Sequence, residues 1–174
     1  GKLLLMETVS YAESSMCRRK SLLHYFGETY PVANCGHCDN CCKPKPKVEA
    51  KGELQLALET LKAIGDKFKV DHLVAVLMGK VTAMIKSYSH NKLEMFGAGE
   101  DKDARFWNAV VRQGLIMGLI DKNIENYGLI SINARGEEYI KKPTSVTITI
   151  DHDYDAEEEN RSEERRVGKE CEGM

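Results

Sequence analysis

The 174-residue sequence lacks any uninterrupted apolar run of the length a membrane-spanning helix needs, and charge recurs every few positions. Aromatic residues are scarce at 7%, with one tryptophan, yet 42% apolar content is enough for a core and argues against a wholly disordered chain. No Gly-x4-Gly-Lys-Ser/Thr phosphate loop occurs, and Gly97-x-Gly99 is too short and follows no strand. The chain therefore carries no visible nucleotide site, no catalytic residue is assigned to it, and by itself it is not expected to hydrolyse ATP. A start methionine and a signal-peptide layout are also missing. Leu3, Leu4, Met6, Val9 and Met16 follow helical spacing from the outset, so the sequence reads as a fragment of a longer cytoplasmic protein.

A strongly basic balance is absent too. The 25 Lys+Arg against 27 Asp+Glu give a net charge of −2, which taken whole argues against a nucleic-acid binder. The average is misleading. Residues 1–150 hold 21 basic and 17 acidic side chains, a net +4, while residues 151–174 hold 4 and 10, a net −6. After the acidic stretch Asp151–Asn160, the string Arg161–Cys171 resembles a translated sequencing adapter. Residues 161–174 are therefore set apart from the fold as an adapter-derived, non-native tail.

What the sequence does have is clustered cysteine. Cys35, Cys38 and Cys41 are separated by two-residue gaps, and Cys17 lies upstream. Thiols this close cannot all pair as disulfides without strain, and a reducing compartment favours metal binding. Zinc takes four soft ligands in a tetrahedron. Gly36, His37, Asp39 and Asn40 suit the tight loop that would carry three of them, and Cys17 would bring the fourth from an adjacent helix. A ferredoxin-type cluster would want cysteine where Lys45 stands. Four protein thiolates leave no position for catalytic water, so one structural Zn2+ is expected, fixing the angle between its flanking helices. Cys42 reads as a spare thiol.

Pro44–Gly52 reads as a stiff basic linker, which gives a zinc-binding subdomain over residues 1–45, a linker over 46–52, a second domain over 53–142, and a strand with an acidic linker over 143–160. In the second domain, Leu54, Leu56, Leu58, Leu61 and Ile64 predict a helix ending near Gly65. Asp71 is expected to cap a helix carrying Leu73, Val74, Val76 and Leu77 that stops at Gly79. A short helix over 82–88, a turn at Gly97-Ala98-Gly99 and a helix capped by Asp103 follow. The last carries Phe106, Trp107, Val110, Val111, Leu115 and Met117. Strands over 119–123 and 129–133, a helix over 134–141 and a strand over 146–150 complete the chain. Three helices and a two-stranded hairpin are the order of a winged-helix domain. The expected class is mainly α with a small β wing (α+β): a four-cysteine zinc-binding helical hairpin followed by a winged helix.

The string Cys17-Arg18-Arg19-Lys20-Ser21-Leu22-Leu23-His24-Tyr25-Phe26-Gly27-Glu28, followed by Cys35-Gly36-His37-Cys38-Asp39-Asn40-Cys41, resembles the zinc-binding segment of RecQ-family DNA helicases. Lys92-Leu93-Glu94-Met95-Phe96-Gly97-Ala98-Gly99, Trp107 and Val111-Arg112-Gln113 resemble the winged-helix part of the same C-terminal (RQC) region. The resemblance covers about residues 1–142. It implies a parent enzyme, cytoplasmic and nucleoid-associated in bacteria, that hydrolyses ATP with Mg2+ in upstream motor lobes. That parent would unwind DNA in the 3′-to-5′ direction during replication, recombination and repair. Two departures stand out: many relatives carry Arg-Gly after the second helix where this sequence has Met78-Gly79, and the wing between Asn123 and Leu129 is short.

Within that resemblance the fragment is expected to hold duplex or forked DNA beside the motor lobes of its own chain, away from any membrane. Phosphate contacts need Lys, Arg, small polar groups and helix starts. The candidates are Lys80, Thr82, Lys86, Ser87, His90 and Lys92 around the short third helix, Lys102 and Arg105 at the next, and Arg18 and Arg19 after the first zinc ligand. Arg18, Arg19 and Lys20 can equally pair with acidic groups of the motor. Tyr127, at the wing turn, can stack on a terminal base pair or serve as an ordinary hairpin residue. Trp107 is read as core. The alternatives are a stand-alone zinc-stabilised winged-helix transcription factor and a protein-docking module.

Overall fold

Leu54, Ala57, Leu58, Leu61 and Ile64 recur at three- and four-residue steps, so helix α4 (Lys51–Ile64) buries one continuous stripe, and the rest of the second half packs around it. A computed structural model describes residues 2–123 and 128–151 of the chain. In chain order these form α1 (Lys2–Glu13), α2 (Arg18–Tyr25), α3 (Asp39–Cys42), β1 (Lys47–Glu49), α4, α5 (Val70–Leu77) and α6 (Ala83–Ser87). A 3-10 turn (His90–Lys92), α7 (Ala104–Ile116), β2 (Ile120–Asn123), β3 (Leu129–Ile132), α8 (Ala134–Lys141) and β4 (Thr147–Thr149) follow. About half the chain is helical, with two small antiparallel sheets, an α+β arrangement.

The helices of the second half start and stop where local chemistry dictates. Asp103 accepts the Phe106 N–H at 2.8 Å and Asn133 accepts that of Gly136 at 3.0 Å, so α7 and α8 are capped by side chains. Thr82 does the same for α6 through Ile85 N–H at 3.2 Å. The expected cap of α5 is corrected: Lys69 occupies that position with no side-chain cap, and Asp71 sits in the first turn, where its charge favours the helix dipole. The core gathers α4, α5, α7, β2, β3 and α8 around Leu54, Leu58, Leu61, Leu73, Leu77, Trp107, Val110, Val111 and Ile130.

The β2–β3 hairpin pairs Ile120 with Ile132 and Asn123 with Leu129, and Gly128 N–H closes it on the Asn123 carbonyl at 2.8 Å. Phe68 adds a third backbone contact by accepting the Ile130 N–H at 2.9 Å.

The segment read as a linker, 46–52, holds structure instead. Its middle is strand β1, paired antiparallel with β4 (Val48 opposite Ile148), and α4 already begins at Lys51. Ala50 is fully buried and donates its N–H to the Val146 carbonyl at 2.8 Å. The misreading has a plain cause. Two prolines and three lysines over residues 44–52 disfavour a central strand, but β1 has one partner only and all three of its residues are exposed, which tolerates both.

One chain reversal depends on glycine. Gly79 adopts φ +66° at the end of α5, where a Cβ would lie 3.2 Å from Gly97 Cα. The Gly97 and Gly99 N–H groups then bond the Val76 and Leu77 carbonyls at 2.9 and 2.8 Å, fastening the 93–103 loop across the end of α5. Among the described residues, no helix is long and apolar enough to cross a membrane.

Candidate metal centre

The four cysteines reach one point from three local structures. Cys17 is not inside a helix, as the sequence suggested; it immediately precedes α2 and is buried. Cys35 lies in the loop before α3, Cys38 occupies the position that opens α3, and Cys41 lies within it. Their Sγ atoms all fall within 4.8 Å of one another, and Cys35 Sγ is 3.9 Å from Cys41 Sγ. A tetrahedron with metal–sulfur distances of about 2.3 Å has edges of about 3.8 Å, so the donor set fits zinc in both chemistry and spacing. Cys42 points away, its Sγ 3.6 Å from the Gly36 carbonyl.

The thiols do not ionise alike. Backbone N–H groups of His37 and Cys38 hold the Cys35 thiol down to about 6. Burial pushes Cys41 up to about 12. A bound cation favours the thiolate form of all four cysteines.

Two residues brace the site, and the sequence reading missed both roles. Asn40, taken as a turn residue, is buried and donates through Nδ2 to the Ser14 and Met16 carbonyls, each at 2.7 Å. It pins α3 to the corner that carries Cys17. Arg18, named as a DNA candidate, is committed to the fold instead. It meets Asp39 through Nε at 3.1 Å and Nη2 at 2.9 Å, donates to the Tyr11 and Ala12 carbonyls, and lies over the Tyr11 ring. The Arg18 hydrogen bonds hold the Asp39 carboxyl down to about 2. Arg19 is exposed, and its hydrogen bond with Tyr30 raises its pKa further.

The remaining candidates divide. Lys80, Thr82, Lys86, Ser87 and Lys92 are exposed along one stretch from the end of α5 to the 3-10 turn. Lys102 pairs with Asp101 at 2.9 Å and lies over the Phe106 ring, while Arg105 is half-buried on α7. Tyr127 lies outside the described residues. His90 is corrected: it is buried, and its Nδ1 is 2.8 Å from His72 Nε2 beneath Phe68, which stacks on His72 at 4.1 Å. It is a packing residue.

Burial lowers the pKa of both histidines, and the facing His90 adds to the effect on His72. Because the folded values lie below the unfolded one, the neutral pair contributes fully above about pH 6.5 and progressively less as the pH falls below that. The thermal midpoint is therefore expected to drop between pH 7 and 5. A His72→Phe/His90→Phe chain should lose most of that slope, and melts that stay parallel to the parent's would refute the assignment.

The two halves of the chain are joined by polar contacts that the sequence did not announce. Ser15 Oγ donates to the Ile150 carbonyl at 2.6 Å, and a His24 ring nitrogen lies 3.3 Å from the Leu115 carbonyl. Within the second half, Arg112 on α7 pairs with buried Asp151 at 2.6 Å, next to the Ile150 that Ser15 reaches.

Comparison with known proteins gives two family matches. Residues 2–42 match the RecQ zinc-binding model and residues 44–157 match the RQC domain model. The chain is 35% identical over 117 residues, 67% of its length, to an ATP-dependent DNA helicase RecQ of Pasteurella multocida. It is also 35% identical over 114 residues, 66% of its length, to that of Haemophilus influenzae. Against the ATP-dependent DNA helicase hus2/rqh1 of Schizosaccharomyces pombe the identity is 27% over 129 residues, covering 69% of this chain and 10% of the relative. The chain spans 18% of the length of each bacterial relative.

Proposed function

Since this chain belongs to the RQC family and carries the RecQ zinc-binding segment ahead of it, we propose that it is the accessory zinc- and duplex-DNA-binding region of a 3′-to-5′ DNA helicase. The observation that carries the reading is the four-thiol cluster set beside a body of four helices, α4 to α7, followed by the β2–β3 hairpin. Cys17, Cys35, Cys38 and Cys41 would hold one Zn2+, which supplies a rigid tetrahedral cross-link between the start of α2 and α3. The α4–α8 body, read as a winged helix, would hold duplex or forked DNA through Lys80, Thr82, Lys86, Ser87 and Lys92, with Lys102 and Arg105 at the start of α7. ATP and Mg2+ would belong to the motor lobes, and replication, recombination and repair are the processes such an enzyme serves. Leu22, Tyr25 and Phe26 are exposed on and just after α2, an apolar surface suited to packing against those lobes. A bacterial parent would work in the cytoplasm at the nucleoid.

Titration of the zinc-loaded chain with duplex DNA at several salt concentrations tests this. Each true phosphate contact contributes about 0.9 to the slope of log affinity against log salt. A Lys80→Ala/Lys86→Ala/Lys92→Ala chain is expected to lose roughly two to three units of slope and to bind all sequences more weakly. Undetectable or salt-independent binding by the parent would reject the DNA role and favour a protein-docking module, for which exposed Val81, Met84 and Tyr88 on the same stretch would be the surface.

A further inference from the structure

We propose that Lys43, Lys45, Lys47 and Lys51 form a second nucleic-acid contact, which holds the phosphate backbone of one strand in addition to the lysines around α6. The proposal deepens the DNA role argued above and rests on it. The segment that carries these lysines is fastened at both ends. Upstream, the Lys43 N–H closes α3 on the Asp39 carbonyl at 3.0 Å. Downstream, β1 pairs with β4, and buried Ala50 donates to the Val146 carbonyl. Between these ends, Pro44 and Pro46 fix their own φ, offer no N–H, and bias the lysine before each toward extended backbone. A segment already set in one conformation loses little freedom when it binds. Lys43, Lys45 and Lys47 stand at alternate positions, roughly 6–7 Å apart along an extended chain. That step is comparable with the one between successive phosphates along a strand.

Charge selects this partner. Residues 43–52 hold four lysines and one acid, Glu49. Lys43, Lys47 and Lys51 are exposed and Lys45 is half-buried. None of the four has an ion pair among the described residues, whereas Lys62 and Lys102 are matched to Glu137 and Asp101. The acids closest in sequence are already engaged. The Glu49 carboxylate accepts the Val146 N–H at 3.1 Å and the Ser145 hydroxyl at 2.8 Å, and Asp39 is paired with Arg18 at 2.9 Å. The lysines therefore present a local positive field with nothing to offset it, which attracts a polyanion. Thr149 stands opposite Lys47 across the ribbon and Thr147 is exposed, so hydroxyl donors accompany the ammonium groups. No aromatic residue lies in 43–52 or in β4, so the contact is with phosphate and not with stacked bases, and it carries no sequence preference. Val48, at 38% exposure, is the single large apolar side chain exposed on β1, too little for a protein-docking patch.

Salt titrations of the zinc-loaded full chain test this with three probes: a single strand, a blunt duplex, and the same duplex carrying a 3′ single-stranded tail. A Lys43→Gln/Lys45→Gln/Lys47→Gln/Lys51→Gln chain is expected to lose roughly three units from the slope of log affinity against log salt, at about 0.7 per contact on a single strand and 0.9 on a duplex. Lys43→Gln/Lys47→Gln, confined to two exposed positions, should lose about half as much. Both variants should keep the parent's thermal midpoint and one zinc per chain, since no ion pair is removed. Loss only on the probes with single-stranded DNA assigns the segment to a single strand, and loss on the blunt duplex as well assigns it to duplex backbone. The control replaces Lys67, Lys69, Lys141 and Lys142, also exposed, by Gln. It removes the same net charge and should keep most of the slope. Equal losses in control and variant would overturn the proposal, because net charge alone would then account for them. If the parent binds and the variant keeps its full slope on all three probes, the proposal falls alone. If the parent binds none of them, the DNA reading falls with it.

Discussion

Chelating the metal is expected to unfold residues 1–45 and leave the α4–α8 body folded. The reason is where the apolar core lies. The buried hydrophobic cluster begins at Ala50, and among the described residues before it the only buried side chain counted as hydrophobic is Cys17, a metal-ligand candidate. Helix α2 buries nothing, and its Leu22 stays half-exposed. Such a helix, two turns long, does not stand by propensity alone. What remains without the metal is polar contacts such as Asn40 to Ser14 and Met16, Arg18 to Asp39, Tyr11 and Ala12, Ser15 to Ile150, and His24 to Leu115. Each is worth about 1 kcal/mol or less when solvent competes. Structural zinc supplies on the order of 10 kcal/mol of apparent folding free energy in comparable small sites. Hydrogen exchange should show protection over α2 and α3 lost in excess chelator, with that of α4 and α7 kept. Cys38→Ser should behave the same way without chelator. Native protein should carry one zinc per chain. Protection that survives at zero bound metal would overturn the structural role.

How much of this was legible in the sequence follows from the range of each interaction. Residues whose job is set by near neighbours could be read directly. Asp103 caps α7, the Leu54-to-Ile64 stripe faces inward, and Cys35, Cys38 and Cys41 carry a spacing that only a shared ion explains. Residues whose job is set at long range could not. Arg112 has no sequence cue for a partner 39 residues away at Asp151, nor Asn40 for carbonyls 24 and 26 residues upstream. The β1–β4 pair is of the same kind: a proline-flanked three-residue strand becomes one only because residues a hundred positions later lie beside it. Arg18 and His90 show the matching error among charged groups. A basic side chain in a motif looks available until the fold reveals that Asp39 or His72 has already claimed it.

Adding one methyl group at Gly99 is expected to be among the most destabilising single-carbon changes in the body. A Cβ there would lie 2.2 Å from Trp107 Cζ2 and 2.6 Å from Cε2, well inside van der Waals contact. Neither partner can yield cheaply. Trp107 is 1% exposed, sits edge-on to Phe106, and its Nε1 donates to the Gly99 carbonyl at 2.9 Å. Gly99 in turn donates to Leu77 at 2.8 Å, so the loop cannot lift without breaking its hold on α5. Overpacking of this kind costs typically 1–3 kcal/mol, and the strained indole bond adds to it. A cycle separates the clash from a general loop defect. Trp107→Leu alone removes packing and leaves the Gly99 carbonyl without its indole donor, at a cost of about 3 kcal/mol. If the methyl group acts by meeting the indole, Gly99→Ala should be markedly milder in the Trp107→Leu background, giving a coupling of at least about 1 kcal/mol in denaturant melts. Strictly additive costs would place the defect in the loop backbone instead. Because the same loop spans the stretch from Lys92 to Lys102, Gly99→Ala should also weaken duplex binding while the zinc content stays at one per chain, whereas Cys38→Ser should reverse that pattern.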